Sequence, residues 1–348
     1  MFWLASAAVP AESLRSFRAA ASGSGFPESF ARAAEESGAS GSGEEAAPFD
    51  DRDADALDAG EVPAEVPRPH TFWIGAVSLA TLAGSAENSF TDGPNQKFHF
   101  TNEGYLGQNT YAGGADKASH FVSYYVVAKL LSGVYAELGL GVDKARLLGA
   151  GVSMFAGFVT ELGDGRGHYG FSYEDLTMDT LGAATYLGIA HYGLGDLIGF
   201  SAGLVPRPPA VCCPNGGFGT DYTELVYSGD LKLAGLGQRA HLDPGPARFL
   251  LVSLTYGSKG YPYANPDVRE RQIGVFLGVN FVQILREAGV PEERWWGKIA
   301  YFLFDVIRIP YTQIGYQYDL NQGRWHGPSI GDRFPGGAPA AAAAPAIR

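Results

Sequence analysis

GGADKASHFVSYYVVAKLLSGVYAELGLG, residues 113 to 141, decides the fold, because here the chain settles into helical periodicity. Within Ala118 to Leu138, His120, Tyr124, Val127, Leu131 and Tyr135 recur three or four apart, one face of a helix. Gly139 and Gly141 end it. Asp143 is placed to cap a second helix running to about Glu161, with small residues at Gly149, Ser153 and Gly157, a spacing that lets another backbone come close. After GDGRGHYGFS a third helix is predicted from about Tyr173, capped by Ser172, with Asp175 at its third position. Leu194 to Leu204 reads as a last helix-like run before Pro206, Pro208 and Pro209.

Towards the N-terminus, Asn95 to Gly114 is polar, aromatic and glycine-rich without a periodic face, and reads as an ordered loop. Phe72 to Ala86, FWIGAVSLATLAGSA, is a run of 15 residues without a charge. That is short of the roughly 20 residues of a spanning helix. Three readings fit it: a signal sequence behind a misassigned start, a membrane-embedded helix, or a buried helix of a soluble core. Residues 1–70, acidic and rich in Ala, Ser and Gly, are expected to be disordered.

Towards the C-terminus the pattern changes. Phe249 to Tyr256, Gln272 to Val279 and Thr312 to Tyr318 are β-branched and aromatic between Gly, Pro and Asn, and read as strands. Phe281 to Ala288 and Trp295 to Ile307 read as helices, and the Ala/Pro-rich tail 335–348 as unstructured. The predicted class is α+β: a mainly helical bundle over about 71–205, followed by a smaller antiparallel strand-containing region with one or two helices. The corresponding segments are 71–210 and 211–334, the second packed on the first.

Composition narrows the function. Charged residues are 18% of the chain, against roughly 25% in an average soluble domain, while it holds 48 Gly, 18 Tyr and 21 Phe. That bias suits a protein working in or against a membrane. A net charge of -12 without clustered Lys or Arg argues against a nucleic-acid partner. The partners expected instead are a membrane or other envelope proteins. The two cysteines, Cys212 and Cys213, are adjacent and read as incidental.

The polar residues of the helical half are few. Asp116 and His120 lie one turn apart, beside Lys117, at the start of the first helix. Glu161 ends the second, with Asp164 three residues on, and Asp175 and Asp179 share a face of the third. Antiparallel neighbours would bring all of these to one end of the bundle. Three uses follow. His120, Glu161, Asp164, Asp175 and Asp179 can ligate a divalent metal, the one cofactor the pattern allows. Alternatively, His120, Glu161 and Asp179 can serve a hydrolase of lipid or phosphate substrates, with His120 as general acid or base. In the third use, which makes the protein a membrane-associated structural or interaction component of the envelope and is the leading expectation, the residues, with Asp116, Lys117 and Ser172 supporting, only fix helix register, Asp179 pairing with Lys117 or Arg166. A small-ligand module would add an apolar pocket beside the cluster. No nucleophile elbow, HExxH or phosphate loop is present.

NEGYLGQNTYAGGADKASHF (102–121), ELGDGRGHYGFSYEDLTMDTLGA (161–183) and GDLIGF (195–200) resemble the YfiM-like predicted periplasmic lipoproteins of bacteria. LTYGSKGY (254–261), FLGVNF (276–281) and GYQYDLN (315–321) resemble the longer members. The order Asp-Lys-x-x-His, Glu, Asp-x-x-x-Asp-x-x-Gly is distantly similar to VanZ-like membrane proteins, which have Asn in place of Asp179. The resemblance implies a location in the bacterial cell envelope, membrane-associated or periplasmic, and a helical core. It carries no activity. No cysteine follows an N-terminal apolar run, so Cys212 and Cys213 are not expected to bear a lipid anchor.

Overall fold

The computed structural model describes residues 69–91, 96–204, 222, 225–261 and 269–330. The expectations for residues 1–68, for Cys212 and Cys213, for the prolines at 206, 208 and 209 and for the tail after Pro335 lie outside them. Among the described residues, seven helices and a seven-stranded sheet make an α+β fold, as the sequence indicates.

The helical half contains α1 (Thr71–Thr91), α2 (Ala115–Glu137), α3 (Val142–Asp164) and α4 (Tyr173–His191). Gly139 ends α2 in the left-handed region, φ 83°, which turns the Leu140 N–H back onto the Tyr135 carbonyl at 3.0 Å. Gly141 precedes α3 without a side-chain cap, so Asp143 sits in the first turn and pairs with Arg146 at 3.3 Å instead of capping. The small-residue stripe of α3 meets its neighbours as expected. Gly149 lies against Ser132 of α2, and the Ser153 hydroxyl donates to the Tyr124 carbonyl at 2.9 Å. A Cβ at Gly182 of α4 would overlap the Phe121 carbonyl, so only glycine allows this approach of α4 to α2.

Helix α1 covers the uncharged run at 72–86. Its Ile74 is buried with Leu131, Tyr135, Leu138 and Ala145, and the Ser78 hydroxyl meets the Tyr135 hydroxyl at 2.6 Å. Phe72, Trp73 and Leu79 remain exposed on its outer side. Among the described helices only α3 is long and apolar enough to cross a membrane.

Two short strands, β1 (Phe100–Thr101) and β2 (Phe171–Ser172), pair in parallel and tie the loop before α2 to the start of α4. The main sheet contains β3 (Ile198–Leu204), β4 (Leu225–Lys232), β5 (Leu250–Lys259), β6 (Glu270–Val279), β7 (Ile307–Arg308), β8 (Gln313–Asp319) and β9 (Arg324–Ile330). Its order is β7-β3-β4-β5-β6-β8-β9, antiparallel throughout except for β3 with β7. Helices α5 (Leu233–Arg239), α6 (Phe281–Glu287) and α7 (Trp295–Val306) complete the chain. The run at 194–204 is corrected: from Ile198 it is a strand. Leu194, Ile198 and Ala202 repeat at four, which suits a helix, but Ile198, Phe200 and Ala202 also repeat at two, and a run this short does not separate the periods. These three side chains join Val122, Tyr125 and Val126 of α2, with Tyr227 of β4, in the main core.

The sheet is strongly curled. Arg308 and Gln313 are five residues apart, a span of at most about 18 Å, yet β7 and β8 are five positions apart in the strand order, roughly 24 Å on a flat sheet. The Arg308 guanidinium therefore reaches across the hollow to lie 5.8 Å from the Phe276 ring of β6 and 3.5 Å from Asp230 of β4. The hollow is polar. Asp230 accepts from Ser201 and Ser253, each at 2.6 Å, and Gln272, Gln317 and Asp319 are buried beside them. A cavity of about 30 Å³, room for a water or so, lies between this hollow and α7, lined by Ser201, Asp230, Lys232, Asn280, Asp305 and Arg308 among others.

Candidate functional site

The start of α2, the end of α3 and the start of α4 meet at one end of the helical half, and the polar residues of all three gather there. Ser172 organises the junction. Its hydroxyl caps α4 by accepting from Asp175 N–H at 3.1 Å, and its own N–H donates to Glu161 Oε2 at 2.9 Å. Gly157 of α3 leaves room for Asp179, because a Cβ there would stand 2.6 Å from Asp179 Oδ2.

Two triads share the His120 ring. Asp116, His120 and Asp175 form one, and His120, Glu161 and Asp179 the other, each with ligand atoms within 4.8 Å of one another. Nδ1 lies 2.8 Å from Asp179 Oδ1, and Nε2 lies 3.7 Å from Asp116 and 3.8 Å from Asp175. The ring stacks near Tyr124, whose hydroxyl meets Thr160 at 2.9 Å.

The first triad already has its cation. The buried Lys117 ammonium sits 2.7 Å from Asp116, 2.6 Å from Asp175 and 2.6 Å from Glu103. Tyr222 adds a hydrogen bond to Asp116 at 2.8 Å. Among the described residues, the only positively charged group facing the second triad is the imidazole itself. Glu161 and Asp179 are 1% and 0% exposed, and their outer oxygens, Oε1 and Oδ2, have no hydrogen-bond partner among the described residues.

Electrostatics follows from this imbalance. Burial above all pushes Glu161 up to about 9, and Asp175 and Asp179 add to it against the pull of His120. Asp179 is also raised, again chiefly by burial, which the imidazole offsets only in part. His120 is held well above its ordinary value: burial pushes it down, but Asp179, Asp175 and Asp116 outweigh that. Burial favours the neutral form of Asp116 too, yet His120 and Lys117 prevail and its carboxyl falls below the ordinary value. Glu103, buried beside Lys117, rises to about 7 because burial exceeds the ammonium's pull.

Of the residues expected from the sequence, the structure brings together His120, Glu161, Asp175 and Asp179, with Asp116, Lys117 and Ser172 around them. Asp164, half-buried at the end of α3, belongs to neither triad. Asp179 pairs with His120 rather than with Lys117 or Arg166. Glu103 and Tyr222 were not foreseen. Glu103 is one acidic residue in an aperiodic loop, and Tyr222 is 106 residues from Asp116, so neither leaves a local signal. His191 lies exposed at the end of α4 and Asp196 pairs with Arg239 at 2.6 Å, both away from this site.

No curated protein and no solved structure matches the chain. Residues 102–189 match a family model described as "Predicted periplasmic lipoprotein (DUF2279)". The matched stretch holds α2, α3 and most of α4, hence both triads and Glu103. That description agrees with the bacterial cell-envelope location expected from the sequence, and the similarity is to that family over about a quarter of the chain.

Proposed function

We propose that this is a bacterial cell-envelope protein whose helical half holds a divalent cation between His120, Glu161 and Asp179. One observation carries the proposal: the buried, unpartnered oxygens of Glu161 and Asp179 beside an imidazole nitrogen. The five carboxylates of Glu103, Asp116, Glu161, Asp175 and Asp179 face one ammonium and one imidazole. When all are ionised, three negative charges are in excess. Protons can relieve that excess, but each unsatisfied buried polar group still costs about 1–3 kcal/mol. A divalent ion relieves the charge and both open oxygens together. Carboxylates with one imidazole suit manganese, iron or zinc. On binding, His120 Nδ1 would become a ligand in place of its hydrogen bond to Asp179, and Nε2–H would point to Asp116 and Asp175, the carboxylate–histidine–metal relation that orients a ligand ring.

The hydrolase alternative, with His120 as general base, has the 2.8 Å contact to Asp179 in its favour. Against it, Nε2 looks into two carboxylates rather than towards a substrate. The small-ligand alternative calls for an apolar pocket beside the cluster, and the cavity of about 30 Å³ shares no residue with the cluster. The phrases resembling YfiM-like lipoproteins support the envelope placement, as does the weaker VanZ-like order of residues.

The test is metal content. Full-length protein, purified without chelator, should hold about one equivalent of manganese, iron or zinc, and Glu161→Gln with Asp179→Asn should abolish it while leaving helical circular dichroism unchanged. Protein that stays metal-free, and gains no thermal stability from millimolar Mn²⁺ or Zn²⁺, would falsify the cation site.

A further inference from the structure

The curled sheet has its polarity reversed. Its inner face buries Ser253, Thr255, Gln272, Gln313, Gln317 and Asp319, whereas its outer face exposes Leu254, Ile273, Val275, Leu277, Ile314 and Tyr316. The register of β5, β6 and β8 sets this, since slipping any strand by one residue would exchange its faces. In water the opposite register would be favoured, with the glutamines outside and the aliphatic residues within.

We infer that the outer face of β5, β6 and β8 rests in the acyl layer of a phospholipid bilayer. Polar-in, apolar-out alternation is how a sheet meets lipid, because hydrocarbon offers no hydrogen bonds and the polar groups must be satisfied inside. The outward positions Val252 and Leu254, Ile273 to Val279 and Ile314 to Tyr318 hold only aliphatic residues and tyrosine, whereas Tyr256, the next outward position of β5, packs on the helical half and donates to the Gly113 carbonyl. Six residues separate Ile273 from Val279, about 20 Å of strand, close to the roughly 25 Å apolar band of lipid-embedded sheets. Charge bounds the band. Arg271, the outward position before Ile273, donates to Asn321 Oδ1 at 2.7 Å at one end, and Arg286 and Glu287 of α6 stand at the other. At the Arg271 end Trp325, 66% exposed, packs on Tyr318 at 5.2 Å, the amphipathic aromatic pair expected at headgroup depth.

Shape excludes the simplest protein occupant. The polar face lies inside the curl, so the apolar face is convex. Two copies of a convex face would touch along a line and fall short of the roughly 800 Å² per partner of a stable interface. Acyl chains follow the curve without that penalty. The band belongs to β5, β6 and β8, and the cation site to α2, α3 and α4, so the two proposals stand or fall separately.

The test places a reporter in the band. Full-length Val275→Trp is reconstituted into phosphatidylcholine vesicles with and without dibrominated acyl chains, and its emission is compared with that of the parent. The added tryptophan should emit to the blue and lose at least about half its intensity in brominated lipid. Water-like emission without quenching would overturn the inference. So would blue emission without bromine quenching accompanied by a dimer mass in detergent-free sedimentation, which assigns the face to a second copy. Since one tryptophan adds volume without charge, a Val275→Phe control with parental circular dichroism separates misfolding from misplacement.

Discussion

At the scale of the residue, Lys117 is the group on which the cluster depends. It is 1% exposed and touches three carboxylates. Burial opposes its charge, but Asp116 and Asp175 raise its pKa far above the ordinary lysine value. Removing one member of a buried ion network leaves the others uncompensated, which typically costs about 3–5 kcal/mol. Lys117→Ala is therefore expected to lower the unfolding free energy by that order, measured by urea titration, whereas the exposed pair partner Arg248→Ala should cost under about 1 kcal/mol. Protons report on the same cluster. Glu161 and Glu103, raised in the folded state, bind protons more tightly folded than unfolded. Their share of stability is thus full below the ordinary glutamate value and lost as pH rises, through about 7 for Glu103 and about 9 for Glu161. Metal-free protein should lose thermal stability between pH 5 and 9, less steeply in Glu161→Gln; an unchanged slope in that variant would count against the raised value. The sequence made His120, Glu161 and Asp179 legible because helical spacing plus antiparallel packing fixes where they go. It could not show Glu103 or Tyr222, whose positions depend on a loop and on the distant Tyr222–Asp116 contact.

At the scale of the element, glycine decides how close the helices come. Gly182→Ala puts a methyl group where the Phe121 carbonyl stands, so α4 must move off α2. A loss of about 1–3 kcal/mol is expected, as for overpacking in general. Gly188→Ala, on the same helix with open space around it, should be neutral or gain up to about 1 kcal/mol. Melting temperatures of the two variants, measured side by side, decide whether contact or intrinsic propensity dominates in α4. Because Gly182 lies three residues beyond Asp179, the first variant should also weaken cation binding. Helices α2 to α4 were readable from period and small-residue spacing, and so were β5, β6 and β8 from their β-branched runs. Strand β3 was not, because its apolar residues suit both periods. Strand β4 escaped because LVYSGDLK turns its polar residues inward, so a buried strand carries the composition of a surface one.

At the scale of the whole molecule, two halves place their polar groups by one rule: charge goes inside and is answered there. In the helices the answer is incomplete, leaving Glu161 and Asp179 with open oxygens. Beside the sheet Asp230 is met by Ser201, Ser253 and Arg308, and Asp305 of α7 by Lys129 of α2 and Lys232 of β4, while Asp319 Oδ2 is buried among the described residues without a hydrogen-bond partner. Alternation in the sequence showed the period of the strands but not which face is inner, since that depends on the curl imposed by β7 and on where α2 packs. The central claim is that the cluster of His120, Glu161 and Asp179 is completed by a cation. Titration calorimetry of chelator-treated, full-length protein with Mn²⁺ and with Zn²⁺ tests it most directly. At least one ion should bind near one equivalent with proton release, and Glu161→Gln should weaken it by at least about tenfold. Binding of neither ion, or binding that Glu161→Gln leaves unchanged, would contradict the account.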